Sequence, residues 1–334
     1  MPNTHTVPSS HPFPTGLCNL TQFALISASG TDATNFLHSQ FTNDIKSLPE
    51  NSACLAGYCS TKGRLLASLL VWKSASSEEK SLFLEVPAEL QESLQKRLQV
   101  FVMRSKVKLN NVTESNAILG ILGEPTARSL MEWFPTIPTS PYELIHSEAG
   151  VLIRLADARE IARYQWIISK QLFEQIWPVI YATRNQQFPI LPAHVWSLSE
   201  IHAGIPHISL ATQEKFVPQM VNYELIGGVN FKKGCYPGQE IVARTHYLGK
   251  QKRRMILAQI DNATVQSGME VFASDDPSQP CGMVVNAQPN AVGGSDCLIE
   301  IKTAYLSDAI VQLNTGEICR WLPMPYSLPG NIAE

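Results

Sequence analysis

The spacing of apolar residues changes along this chain, and the change divides it. Residues 22–27 (QFALIS) read as a strand, after which Thr31 or Asp32 caps a helix that puts Ala33, Phe36 and Leu37 on one face. Residues 53–58 and 64–72 read as two strands joined at the polar turn 59–63, and a further strand follows at 82–86. Over residues 87–101, Leu90, Leu94, Leu98 and Phe101 recur at helical spacing, and a short strand comes next at 107–109. The order then repeats: strand 117–122, helix 125–134, strands near 151–155 and 164–168, helix 171–182. Two such strings predict two α+β units of split-βαβ type and not one doubly wound sheet. A short helix at 197–203 ends at Gly204. Beyond Arg254 the predicted elements are all short strands, at 255–260, 270–272, 282–286, 297–301, 309–312 and 319–321. Gly, Pro, Asn and Asp turns separate them, which predicts a small antiparallel barrel or sandwich.

Length adds that 334 residues exceed one ordinary core, so two or three domains are expected. A composition of 44% hydrophobic and 16% charged residues belongs to a globular chain. No apolar run approaches the roughly 18 residues that span a bilayer. The first residues are polar and Pro-rich and read as a loose tail, not as a signal peptide. Seven scattered cysteines predict reduced thiols in a cytoplasmic compartment. The resulting division is a flexible tail at 1–19, a first unit at 20–115, a second at 116–250 and the barrel at 251–334. The first two units are free to interleave.

Charge singles out one stretch. Residues 231–254, FKKGCYPGQEIVARTHYLGKQKRR, hold seven Lys or Arg and one acid, a local +6; the whole chain carries −3, so the remainder carries −9. A basic segment on an acidic background points to an anionic ligand. Residues 227–231 should be a loop leading into a short strand, and residues 233–238 a tight exposed turn with glycine at positive φ. A helix should begin at Gln239 with Gly238 near its N-cap. Cys235 and Gln239 then lie close to a helix N-terminus, with Lys232, Lys233 and Arg244 nearby in sequence. Such a setting lowers a thiol's pKa and makes it more nucleophilic or more easily oxidised. An equal alternative is that Cys235 is a small residue filling a tight bend. Lys250, Lys252, Arg253 and Arg254, with His246 and Tyr247, suit phosphates and stacked bases. A solvated basic face is the plainer reading, and the adjoining cysteine turn favours the ligand-facing one.

Elsewhere the chemistry is sparse. Walker, dinucleotide, nucleophile-elbow and zinc-protease motifs are missing. Cys54 and Cys59 lack the partners of a zinc site and read as core or loop thiols. His202 and His207 flank the turn at 204–206 and read as local turn and surface groups. Glu200 could meet a ligand's N–H groups, although an exposed helical carboxylate is the commoner arrangement.

The octapeptide Lys233-Gly234-Cys235-Tyr236-Pro237-Gly238-Gln239-Glu240 resembles K-G-C-Y-x-G-Q-E, which marks the YgfZ family, folate-binding relatives of the glycine-cleavage T-protein (aminomethyltransferase). Its surroundings agree: Phe216-Val217-Pro218-Gln219, Asn222 and residues 227–232 before it, and Val242-Ala243-Arg244-Thr245 after it. Further upstream, residues 200–206 (EIHAGIP), Lys62-Gly63-Arg64 and residues 36–44 also fit, so the similarity runs from about residue 20 into the barrel. The resemblance implies an α+β fold of two ferredoxin-like units and a C-terminal antiparallel β-barrel. These would form a ring around a central hole that holds tetrahydrofolate or a polyglutamylated folate. It also implies a role in maintaining iron–sulfur enzymes, and through them tRNA thiomodification, with those enzymes or their assembly proteins as partners. By position, Glu200 would hold the pterin. Lys233, Tyr236, Arg244, Asn43 and Asp44 would lie beside the folate, and Cys235 would be the functional thiol.

One departure separates transferase from helper. T-proteins carry Gly-Gly-x-x-Asp-Asp, whose carboxylate acts on the folate. The matching segment here is Gly63-Arg64-Leu65-Leu66-Ala67-Ser68. Neither Ala67 nor Ser68 can do general acid–base work on a folate nitrogen. An accessory protein, not a classical enzyme, is therefore expected. The alternatives are a one-carbon transferase with a relocated carboxylate, and a tRNA-binding module that uses the basic stretch.

Overall fold

In the computed structural model, which describes residues 13–75, 81–183, 189–247, 251–307 and 309–329, the apolar runs assemble into three sheets. The first has the order β3-β4-β5-β2-β6, with β2 at Phe23–Ser29, β3 at Ala53–Cys59, β4 at Leu65–Lys73, β5 at Leu82–Pro87 and β6 at Lys108–Asn111. All its neighbours are antiparallel. Strand β4 (LLASLLVWK) is buried at every position but the last, so both faces of the sheet need cover. Helices α1 (Ala33–Gln40) and α2 (Gln91–Val102) supply it through Phe36, Leu37, Leu94 and Leu98. The second sheet supplies the rest.

That second sheet has the order β11-β1-β7-β10-β9-β8. Its strands are β1 Gly16–Asn19, β7 Asn116–Leu122, β8 Leu144–Ser147, β9 Gly150–Ala158, β10 Ile161–Ser169 and β11 Ile190–Leu191. Only the β1–β11 pair is parallel. Helices α3 (Glu124–Arg128) and α4 (Lys170–Thr183) pack on it over Leu119, Ile121, Leu152 and Trp166. The helix expected over 125–134 stops at Arg128. Beyond it, the N–H groups of Leu130, Met131 and Trp133 reach back three residues, in successive tight turns. Trp133 and Phe134 still reach the Trp166 ring, at 5.3 and 5.5 Å between centroids. Apolar spacing alone does not distinguish such turns from a helix.

Residues 16–19 fall in the expected tail yet form β1, because Leu17 and Cys18 are fully buried and bonded on both sides. The rest of the tail at 1–12, residues 76–80 and Lys250 of the basic stretch lie outside the described residues. The short strand expected near 231 does not form. Residues 227–230 are instead pinned singly: Asn230 N–H donates to the Thr42 carbonyl at 3.0 Å, and the Thr42 hydroxyl donates to the Gly228 carbonyl at 2.6 Å.

The third sheet has the order β16-β13-β14-β15-β12-β17 and is antiparallel throughout. It comprises β12 Arg253–Ile260, β13 Glu270–Ala273, β14 Asp276–Pro289, β15 Ser295–Lys302, β16 Val311–Leu313 and β17 Cys319–Leu322. A bridge between Gln312 and Ile318 brings its two ends together, so the sheet curls into a half-barrel over its own core of Ile256, Val271, Val284 and Ile299. Two more helices carry the functional residues. Helix α5 (Ala193–His202) starts directly after Pro192, four residues earlier than expected, and α6 is Gln239–Tyr247. Among the described residues no helix is long and apolar enough to cross a membrane.

Candidate functional site

Glu200 lies near the end of α5 and is only 5% exposed. Its carboxylate meets His207 Nε2 at 3.0 Å and the Arg163 guanidinium at 3.3 Å. Arg163, fully buried on β10, lies 4.5 Å from the centre of the Trp196 ring and donates to the Ala156 carbonyl at 3.3 Å. Burial alone would raise the Glu200 pKa; His207, Arg163 and Trp196 outweigh it and hold the carboxyl below its usual range. Burial pulls His207 down, but the Glu200 and Glu85 carboxylates push it further, and its pKa ends raised. The third sheet clamps His207 through Asn286, whose side chain accepts its N–H and donates to its carbonyl, both at 2.9 Å. The two histidines expected as turn and surface groups are thus both paired with acids. His202 is 4% exposed and meets Asp296 at 2.6 Å. Asp296 lies far along the chain, and no local spacing could show it.

Arg163, Glu200 and His207 border a narrow slot between the first two sheets, whose free volume of about 30 Å³ is room for about one water molecule. Phe23, Leu70, Leu155, Tyr142 and Tyr223 are among its walls. The slot adjoins a wider groove of about 420 Å³, whose walls include Asn286 and Gln288 of β14. Glu200 and His207 belong to both. Slot and groove together are therefore built by all three sheets and α5.

The segment expected to match the transferase carboxylates reaches the slot through Ser68. Ala67 is buried, and the Ser68 hydroxyl accepts the Ile208 N–H at 3.0 Å. The acid on this face is Glu85, one strand over and paired in register with Leu70. Glu85 Oε1 accepts a bond from Gln165 Nε2 at 3.0 Å, while Glu85 Oε2 and Gln165 Oε1 have no hydrogen-bond partner among the described residues. Burial pushes the Glu85 carboxyl up to about 7, against the Gln165 bond and with help from the Glu200 charge. The sequence reading missed Glu85, Arg163 and Gln165, treating β5 and β10 only as strands. The signal was there: a charge or amide in the middle of an apolar run, as in LFLEVP and IARYQWIIS.

A second cluster gathers where the 233–238 turn packs on the β3–β4 hairpin. Only Gly238 takes positive φ, at +79°, and a Cβ there would meet the Gly63 nitrogen at 2.6 Å and the Ser60 oxygen at 2.4 Å. That approach fixes the turn, and α6 follows at once. Lys233 is buried, with its ammonium donating to the carbonyls of His38 and Phe41 (2.6 Å for the latter) at the end of α1. It caps that helix, and burial lowers its pKa to about 8. We expect Lys233→Met to lose about 2 kcal/mol, since two helix-end carbonyls are left unpaired. Urea unfolding reads this, and an unchanged midpoint would mean the cap is idle.

Asp44 pairs with His38 at 3.1 Å, and the Asn43 amide donates to the Leu55 and Gly227 carbonyls at 2.7 and 2.8 Å. Tyr236 is buried beneath Lys233, whose ammonium lies 4.9 Å from its ring centre. Cys235 alone of the seven thiols is exposed. Burial pushes Cys18, Cys54 and Cys59 up to about 12. Of the expected ligand-side residues, then, Glu200 lines the slot. Asn43, Asp44, Lys233 and Tyr236 lie around the Cys235 turn, Arg244 is exposed on α6, and none of these five lines slot or groove. Among the described residues no group of three acidic, histidine or cysteine side chains could hold a metal.

Residues 14–149 match the family described as the GCVT N-terminal domain. The tRNA-modifying protein YgfZ of Photorhabdus laumondii subsp. laumondii is 32% identical over 248 residues, covering 74% of this chain and 71% of that relative. The chain belongs to the YgfZ family. The tRNA-modifying protein YgfZ of Edwardsiella ictaluri is 28% identical but covers 94% of this chain and 93% of its own length, so the likeness extends into the third sheet. Among solved structures, the glycine cleavage system aminomethyltransferase T from Bartonella henselae matches with a TM-score of 0.74 at 13% identity, over 94% of this chain and 86% of that one. The two share a mixed α+β fold with a curled antiparallel sheet.

In this YgfZ-family chain the basic stretch is less available than its net charge suggests. Besides Lys233, two more of its cations are turned inward: Arg253 onto Glu300 (2.9 Å) and Arg254 onto Glu224 (2.5 Å). Lys232, Arg244 and Lys252 remain exposed among the described residues. His246 stacks on Phe231 at 3.7 Å and 14°, so that ring already has a partner.

Proposed function

We propose that this protein is a folate-binding accessory protein of tRNA modification. In this reading it holds tetrahydrofolate at Glu200 and sustains iron–sulfur enzymes through the exposed thiol of Cys235. The carrying observation is a buried, ionised Glu200 set between Arg163 and His207 at the mouth of an aromatic-lined slot. A flat ring lying in the wider groove would turn the N–H groups of its edge to the slot, where buried polar atoms have no hydrogen-bond partner among the described residues: Glu85 Oε2, Gln165 Oε1 and Arg163 Nε. Bound there, tetrahydrofolate would supply a one-carbon carrier. Glu200 and Arg163 would orient its ring, and the apolar walls would keep water from it.

Three further points shape the reading. The charged side chains of the groove are Glu89, Glu200 and His207, with no Lys or Arg, so nothing in it neutralises a poly-glutamate chain. The ligand is tetrahydrofolate or a polyglutamylated folate, and no groove cation would hold the added glutamates of the latter. Ala67 and the engaged Ser68 leave the transferase position without an acid, which favours a helper over an aminomethyltransferase. The partner is an iron–sulfur tRNA-modifying enzyme or assembly protein that meets the Cys235 turn. Direct tRNA binding has only three described cations of this stretch to work with, few for the phosphate contacts that drive such binding.

Calorimetric titration with tetrahydrofolate, followed by complementation of a deletion strain, tests this. Wild type and Cys235→Ala should both bind, the penta-glutamyl form should bind no tighter than the mono-glutamyl form, and Glu200→Ala should bind at least tenfold more weakly. In cells, Cys235→Ala should lower thiolated tRNA. Absence of binding by wild type removes the folate reading, and full complementation by Cys235→Ala removes the thiol.

A further inference from the structure

The slot contains a pair of groups that the Glu200 reading does not use. Glu85 projects from β5 of the first sheet and Gln165 from β10 of the second, and one bond of 3.0 Å links them across the gap. Both side chains are nearly inaccessible, at 4% and 1% exposure, yet each keeps an oxygen with no hydrogen-bond partner among the described residues. Buried acceptors left unpaired are costly, and a pair of them in the wall of one cavity calls for donors. Apolar and aromatic side chains surround them, so those donors should sit on the edge of a flat, largely apolar ring.

We propose that Glu85 and Gln165 form an N–H-reading subsite, in which Glu85 Oε2 and Gln165 Oε1 accept from the amine or ring N–H groups of a heteroaromatic ligand held at the same time by Glu200. The proposal rests on the folate-binding reading and adds which edge chemistry the site selects. It also gives ligand entry a protonic consequence. Glu85 is faced by Glu200 on α5, by His207 after it, by Arg163 on β10, and by the phenols of Tyr142 and Tyr223 in the slot walls. In the free protein burial keeps its proton on up to about pH 7. N–H donors arriving at Oε2 stabilise the carboxylate, so the carboxyl proton leaves for the buffer as the ligand binds.

The test is tetrahydrofolate titration of full-length wild type and Glu85→Gln by calorimetry from pH 6 to 8, in two buffers of different ionisation enthalpy. Expected for wild type are release of up to one proton near pH 6.5 and an affinity that rises about fivefold from pH 6 to 7.5, the increase ending above the free-state pKa. Glu85→Gln should lose that proton release and bind about tenfold more weakly, while any slope due to His207 remains. Binding without proton release in wild type overturns the subsite and leaves the folate reading standing. So does a Glu85→Gln protein that binds like wild type with the same pH profile. A wild type that binds no tetrahydrofolate at any pH overturns both. Should Glu85→Gln fail to fold, the wild-type proton count decides alone.

Discussion

Arg163→Leu is expected to remove about 3–5 kcal/mol of folding stability, the range seen when one member of a buried ion pair is deleted. Leucine fills part of the space but supplies none of what the guanidinium does. The 3.3 Å contact with Glu200, the 3.3 Å bond to the Ala156 carbonyl and the face of Trp196 at 4.5 Å are lost together. Glu200 is then left ionised and buried with only the partly exposed His207 to balance it. The effect should be strongly coupled: adding Glu200→Gln, which removes the stranded charge, should return a good part of the loss. Urea unfolding of the two single variants and the double variant at neutral pH measures the coupling. An Arg163→Leu protein within 1 kcal/mol of wild type would show that the pair carries no stability.

The second large effect is a pH slope. Glu85 has a folded pKa of about 7 against 4.5 unfolded. Below pH 4.5 both states hold the proton and no penalty arises. Between 4.5 and 7 the unfolded chain ionises first, so the folded state binds more protons and stability falls as pH rises. The shift corresponds to roughly 3 kcal/mol in all. His207, whose pKa is raised, slopes the same way at higher pH, and Glu200, whose pKa is lowered, slopes oppositely in acid. The quantity to measure is therefore the difference between wild type and Glu85→Gln across pH 4.5 to 8. It should move steadily in favour of glutamine up to about pH 7 and then level. A flat difference would place Glu85 in a far more solvated position than the slot gives it.

What the sequence revealed depended on whether the information was contiguous. The octapeptide at 233–240, the hairpin at 59–63 and the strands of the third sheet are local patterns, and each could be read locally. The slot could not. Glu85 and Gln165 meet across 80 residues of chain, and each looked like an ordinary polar interruption in a strand. The basic stretch misled for a related reason. Counting charges shows how many cations there are but not which acids answer them, and Glu224 and Glu300 do so from 30 and 47 residues away. Glu200 was placed through its neighbours in EIHAGIP, while its two partners, one on a distant strand and one beyond the Gly204 turn, needed the fold to appear.

Strand β1 belongs to the second sheet although it precedes the first, and this matters while the chain is being made. Strands β2 to β6 span residues 23–111 without interruption and can pair as they emerge from the ribosome. Strand β1 must wait: its antiparallel neighbour is at 116–122 and its parallel one at 190–191. The earliest strand synthesised thus waits for partners made only after the whole first sheet. Until residue 122 is out, Leu17 and Cys18 hang from the first sheet with their backbone unpaired, and one edge of β1 stays open until residue 191 follows, exposed to capture by a chaperone or a neighbouring nascent chain.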